Sequence, residues 1–249
     1  MSAWDEPGTP GSREAELAAN LARVEERITR ACDAAGRART DVTLIVVTKT
    51  YPAEDVRRLA ALGVRDVAEN RDQEAAAKAA ACADLALNWH FVGQLQTNKA
   101  RSVAKYAQCV HSVDRVRLAR ALSAAVVSLE RAPLDCLVQV ALEKASGQGG
   151  DRGGVAPDAV GELAAALDEA PGLRLAGLMT VAPLTGAYAG APAAAFERLQ
   201  EISRRLRSVH PAANMVSAGM SADLEEAIAA GATHVRVGSA VLGVRPALG

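Results

Sequence analysis

What most constrains the fold of this sequence is an alternation. From Asp41 onward, short apolar runs rich in β-branched residues alternate with segments whose apolar positions recur at helical spacing. The runs fall at 42–49, 66–69, 89–92, 109–112, 134–142, 173–181, 215–217 and 234–237. The helix-period segments fall at 53–62, 71–82, 98–105, 115–130, 157–168, 193–209 and 222–230. Strands and helices alternating in this way through 249 residues predict a single parallel (β/α)8 barrel of the TIM type. The rival is an open doubly wound sheet. No Gly-x-Gly-x-x-Gly follows the first run, which counts against that rival. Ahead of the alternation, Leu17, Leu21, Val24, Ile28 and Ala31 mark an extra N-terminal helix that ends near Asp33 and Gly36. Residues 1–13 are polar and rich in Gly and Pro, so they read as a disordered tail before one domain at 14–249.

Composition removes several classes of function. With 28 basic and 29 acidic residues the net charge is -1, which offers no electrostatic footprint for nucleic acid or an anionic membrane. No apolar stretch is long and uninterrupted enough to span a bilayer. Cys32, Cys82, Cys109 and Cys136 are widely spaced with no Cys-x-x-Cys, against a zinc site or a disulfide framework. Such usage fits a reducing cytoplasm, where this protein is expected.

In a parallel barrel the residues just past each apolar run converge on one mouth. Here they are Lys49, Asn70, His90, Ser112, Met179, Ser217 and Arg236. Lys49, at the end of a strand buried on both faces, admits two readings. Desolvation or cationic neighbours would leave a free amine able to form a Schiff base; otherwise the side chain snorkels to solvent. Two Gly-containing segments, 217–223 and 236–240, leave the seventh and eighth strands, where barrels commonly hold phosphate on backbone N–H groups. Their plainer reading is that Ser221 and Ser239 cap helices and the glycines make turns. Taken together, lysine and cradles suit a carbonyl compound that carries a phosphate. His111 reads as structural, and Trp89 as part of the barrel wall.

The runs at 46–50 (Val-Val-Thr-Lys-Thr), 68–70 (Ala-Glu-Asn) and 89–99 (Trp-His-Phe-Val-Gly-Gln-Leu-Gln-Thr-Asn-Lys) resemble the pyridoxal-phosphate homeostasis protein family. So do Gly177-Leu178-Met179, the segment 217–223 and the segment 235–239, in the family's order. Members are single barrels similar to the N-terminal domain of alanine racemase. The resemblance implies that Lys49 forms a Schiff base with pyridoxal 5'-phosphate and that Arg236 faces the pyridine nitrogen. It further implies that Ser217, Gly219, Gly238 and Ser239 hold the phosphate, while Asn70, His90 and Met179 line the ring. Ala68, Ala218 and Ser239 depart from the common Gly, Met and Thr without removing a polar contact. The Gly-rich segment 143–154 lacks the Lys-Ser/Thr of a P-loop and reads as a rim loop.

The function so implied is a monomeric, non-catalytic carrier that buffers, protects or delivers the cofactor, with pyridoxal-phosphate-dependent apo-enzymes as recipients. The alternatives are an amino-acid racemase and a cofactor-free Schiff-base aldolase. A racemase built on this barrel needs a tyrosine from an additional β domain, and the sequence reaches Gly249 shortly after the eighth strand. The aldolase leaves Arg236 unexplained.

Overall fold

The structure is a computed structural model that describes residues 12–143 and 153–243. Most of the expected tail and most of the Gly-rich rim segment therefore lie outside the described residues. The strands are β1 (Thr43–Val47), β2 (Asp66–Glu69), β3 (Asn88–Phe91), β4 (Cys109–Val113), β5 (Leu134–Gln139), β6 (Leu173–Met179), β7 (Met215–Ser217) and β8 (His234–Val237). The helices are α1 (Arg13–Ala34), α2 (Ala53–Ala61), α3 (Asp72–Ala81), α4 (Ala100–Val103), α5 (Val116–Ser128), α6 (Val160–Asp168), α7 (Pro192–Val209), α8 (Leu224–Ala229) and α9 (Ser239–Leu242). The strands pair in parallel in sequence order, and β8 closes on β1 with Ile45 opposite Arg236. This is the expected barrel.

Most boundaries fall where periodicity put them, and the differences have local causes. Ser12 caps α1 by accepting from the Ala15 N–H at 3.2 Å, so the helix begins inside the segment expected to be tail. β1 stops at Val47 rather than 49 because the chain turns there, with Thr50 in the left-handed region at φ 70°. β5 stops at Gln139, after which Val140 makes only an isolated bridge to Val155. The short helix α9 opens at Ser239, with Gly238 rather than Ser239 in the capping position.

Helices cover the barrel in two apolar clusters. One joins β3–β7 to the inner faces of α4–α7, with Phe91, Leu118, Leu122, Leu163, Phe196 and Leu199 buried in it. The other joins β1, β2 and β8 to α1, α2 and the chain's last helices through Leu17, Ile28, Val56, Leu59, Ile228 and Val241. Helix α1 thus packs against α8 and α9, bringing both ends of the described chain into one core. A third, smaller cluster of Cys109, Leu137, Ala176 and Met179 comes from β4, β5 and β6. All four cysteines are free and buried.

Candidate functional site

Lys49 lies in the turn after β1 and is exposed. The expectation of a lysine desolvated at a strand end is therefore not met, because the buried position belongs to Thr48. What is buried is the support beneath the lysine. The Thr48 hydroxyl donates to Glu69 Oε1 at 2.6 Å. Lys78 Nζ donates to the same oxygen at 2.7 Å and to the Thr48 carbonyl at 2.8 Å. Glu74 accepts from the Thr50 N–H at 3.1 Å. Burial pushes the Glu69 carboxyl above the usual range, against the opposing bonds from Lys78 and Thr48. Its other oxygen, Oε2, has no hydrogen-bond partner among the described residues.

The two cradles lie beside this turn. The Arg236 N–H donates to the Gly219 carbonyl at 2.9 Å and ties one to the other. Gly219 has φ 87°, and a Cβ there would come within 2.6 Å of Ala227 Cβ, so the position requires glycine. Asp223 Oδ1 accepts from the Met220 N–H at 2.6 Å. The hydroxyls of Ser221 and Ser239 are 3.4 Å apart, between the cradles. Gly238 precedes α9 and sits against β1, where an added Cβ would be 3.2 Å from the Val47 carbonyl oxygen.

Behind the cradles Arg236 is buried, with Nη1 donating to Ser217 Oγ at 2.6 Å and Nη2 to the Thr180 carbonyl at 2.8 Å. Burial pulls its guanidinium down to about 10, partly offset by Asp223, so it stays charged at neutral pH. Ser217 Oγ also meets His111 Nδ1 at 2.9 Å. β4 and β7 are not neighbours in the ring, so this contact crosses the barrel interior. His111 Nε2 meets His90 Nδ1 at 2.9 Å, and His90 Nε2 meets Asp66 Oδ1 at 3.0 Å.

Several expected site residues thus take different places. Ser217 is fully buried and faces Arg236 and His111, leaving Ser221 and Ser239 as the hydroxyls that adjoin the cradles. His90 is turned toward Asp66, the residue that opens β2 at the N-terminal end of the barrel, because both its ring nitrogens have partners there. Met179 ends β6 and lines a cleft of about 580 Å³ with Gln139, Val181, Met220 and Asp223. Asn70 borders a separate groove with Gln94 and Lys99, and its carbonyl presses on Gly93, where a Cβ would approach to 2.0 Å.

Sequence reasoning did not single out Asp66, Glu69, Lys78 or Thr180, and left His111 as structural. The available signal was two histidines on barrel strands, since buried ring nitrogens require partners. Two of the three tyrosines have other engagements. Tyr51 donates to the Gly243 carbonyl at 2.6 Å beneath the Arg13 guanidinium, and the Tyr106 hydroxyl meets Asp72 at 3.4 Å. Among the described residues no helix is long and apolar enough to cross a membrane.

Comparison with known proteins agrees with the architecture. The family model of the alanine racemase N-terminal domain matches residues 19–246. A pyridoxal phosphate homeostasis protein of Pseudomonas aeruginosa is 44% identical over 229 residues, spanning 92% of this chain and 96% of that protein. One of Mycobacterium tuberculosis is 44% identical over 253 residues, spanning 94% of both. Among solved structures, PipY of Synechococcus elongatus with PLP bound superposes with a TM-score of 0.78 at 33% identity. That match covers 91% of this chain and 100% of PipY. This chain belongs to the pyridoxal phosphate homeostasis protein family, whose barrel is that of the alanine racemase N-terminal domain.

Proposed function

We propose that this protein binds pyridoxal 5'-phosphate through Lys49 and serves its homeostasis, holding the cofactor and releasing it to apo-enzymes rather than catalysing with it. One observation carries the reading. An exposed lysine stands on a braced turn after β1, Gly238 packs against the Val47 end of that strand, and Arg236 is buried on the adjoining β8. That donor set fits a phosphorylated aromatic aldehyde. The Lys49 amine would take the aldehyde, the Ser221 and Ser239 hydroxyls, 3.4 Å apart, would serve the phosphate, and the Arg236 cation would serve the ring nitrogen. When bound, the cofactor supplies an aldehyde and an electron-withdrawing ring.

The residues of this chain favour holding over turnover. An arginine at the ring nitrogen keeps that atom from gaining a proton, which weakens electron withdrawal. Racemisation needs a second acid on the opposite face, and the Tyr51 and Tyr106 hydroxyls are committed to Gly243 and Asp72. The test is the absorption spectrum of the purified protein, then borohydride reduction and peptide mapping. The expected result is a single adduct on Lys49 that Lys49→Ala abolishes. An adduct confined to another lysine, such as Lys99, would overturn the proposal.

A further inference from the structure

We propose that Asp66, His90 and His111 are positioning residues: they form a one-way hydrogen-bond chain through the barrel that fixes Ser217 and, through it, Arg236. The inference rests on the functional reading above for what Arg236 does, and on geometry alone for the chain. Five side chains follow one another at hydrogen-bond distance: Arg236 to Ser217 at 2.6 Å, Ser217 to His111 at 2.9 Å, His111 to His90 at 2.9 Å and His90 to Asp66 at 3.0 Å. They come from β8, β7, β4, β3 and β2, so the chain crosses the barrel from one wall to the other.

Both ends set its direction. A guanidinium only donates, so Ser217 Oγ accepts from Arg236. A carboxylate only accepts, so His90 Nε2 carries a hydrogen toward Asp66. Hydrogen bonds from His90 and Asn88 outweigh the desolvation that opposes them and hold Asp66 below the usual carboxylate range, hence ionised. Burial, with His90 and Arg236 nearby, drives His111 well below the ordinary imidazole value, so it is neutral with one ring hydrogen. With a single ring hydrogen on His90 as well, one arrangement makes every contact. Ser217 donates to His111 Nδ1, His111 Nε2–H donates to His90 Nδ1, and His90 Nε2–H donates to Asp66.

Two consequences follow. The Ser217 hydrogen is spent inside the barrel, so this hydroxyl has none to give a phosphate. With Ser217 fixed and Thr180 holding the other Nη, the Arg236 guanidinium plane is clamped from two sides. A carboxylate at the N-terminal end of β2 thereby helps set the orientation of a cation on β8, though the two side chains do not touch.

The chain has one rival in the same place. The Cys109 sulfur and one nitrogen each of His90 and His111 lie within 4.8 Å of one another, a set that a soft divalent cation could use. Every ring nitrogen of His90 and His111 already has a partner in the hydrogen-bond chain, so a metal held there would break the chain at one link or more.

The deciding experiment is ¹⁵N multiple-bond NMR of the histidine rings in the cofactor-free protein, with its zinc content, followed by cofactor retention in Asp66→Leu and Asp66→Glu. The expected result is the Nε2–H tautomer in both His90 and His111 and no stoichiometric zinc. In Asp66→Leu both rings should become tautomer mixtures, and the folded barrel should retain pyridoxal phosphate about tenfold less well, the scale of a lost charge-assisted hydrogen bond. Asp66→Glu should restore both readings, which general loosening of the fold would not. An Nδ1–H tautomer at His111, one zinc per chain, or unchanged retention in Asp66→Leu would overturn the inference while leaving Lys49 binding intact. Correct tautomers in a protein that takes up no cofactor would overturn the functional reading, and the positioning role with it.

Discussion

Replacing Lys78 with methionine tests the buried support beneath Lys49. Met fills similar volume but removes the Nζ that donates to Glu69 Oε1 and to the Thr48 carbonyl. Glu69 is fully buried and its Oε2 is already unpartnered, so the stranded carboxylate must take up a proton. Starting from the ordinary value of 4.5, protonation at pH 7 costs about 3.4 kcal/mol, at about 1.36 kcal/mol per pH unit. The lost bond to Thr48 adds about 1 kcal/mol. The sum of about 4 kcal/mol lies within the range for breaking a buried ion pair and corresponds to a Tm drop of about 8–16 °C for a chain of this size.

The sign with pH is diagnostic. In the variant the folded-state carboxyl sits above its unfolded value, so the folded form holds a proton that unfolding releases, and stability is lost as pH rises from about 4.5. At pH 5.5 the protonation cost shrinks to about 1.4 kcal/mol, so the variant should recover at most about 2 kcal/mol relative to wild type, whose own raised carboxyl recovers a smaller share. Paired urea titrations of wild type and variant at the two pH values measure this. Adding Glu69→Gln to Lys78→Met should abolish the pH-dependent part. A single variant within about 1 kcal/mol of wild type at pH 7, or a penalty indifferent to pH, would refute the reasoning.

Two further outcomes are expected. Burial holds His234 down to about 4 and His111 well below the ordinary value, so below about pH 6.5 the unfolded chain binds protons that the folded one refuses. Stability should be full above that point and fall as pH drops, His234 alone accounting for about 2 kcal/mol by pH 5; urea midpoints should show a flatter profile in His234→Asn, and identical profiles would refute the assignment. Gly93→Ala would drive a Cβ to 2.0 Å from the Asn70 carbonyl oxygen, so it should cost about 1–3 kcal/mol in thermal denaturation and displace Asn70. A Gly93→Ala protein as stable as wild type would mean that the β2 and β3 ends approach less closely than described.

The barrel was legible because its signal is local. Apolar runs and helical spacing located β2, β7 and β8 at the residues where the structure has them. The rule that strand ends converge named Lys49, Asn70, His90, Ser112, Met179, Ser217 and Arg236. Of these the structure links Ser217 to Arg236 directly and to His90 through His111, while Asn70 borders a separate groove. What failed was the environment of single side chains. Periodicity carried the first run to residue 49, whereas a left-handed Thr50 turns the chain earlier and leaves Lys49 in solvent. The polar interior was illegible for another reason. His111 and Ser217 lie 106 residues apart, and nothing in the pattern around either one indicates the other. The resemblance made Ser217 a phosphate ligand, whereas its hydroxyl meets Arg236 on the neighbouring strand and His111 across the barrel.

The two covering clusters impose an order on assembly. The larger draws only on residues between Phe91 and Ala232, a contiguous stretch that can condense while the chain is still growing. The other is stitched from Leu17–Trp89 and Leu224–Leu242, so α1, which meets α2 early, cannot complete its packing until the last helices emerge. Lys49 follows β1, in the early part of the sequence that builds this core, and Arg236 lies on β8, in its late part. The two are therefore brought together only once β8 has closed on β1, and a truncated or stalled product would keep much of its middle core without that pairing.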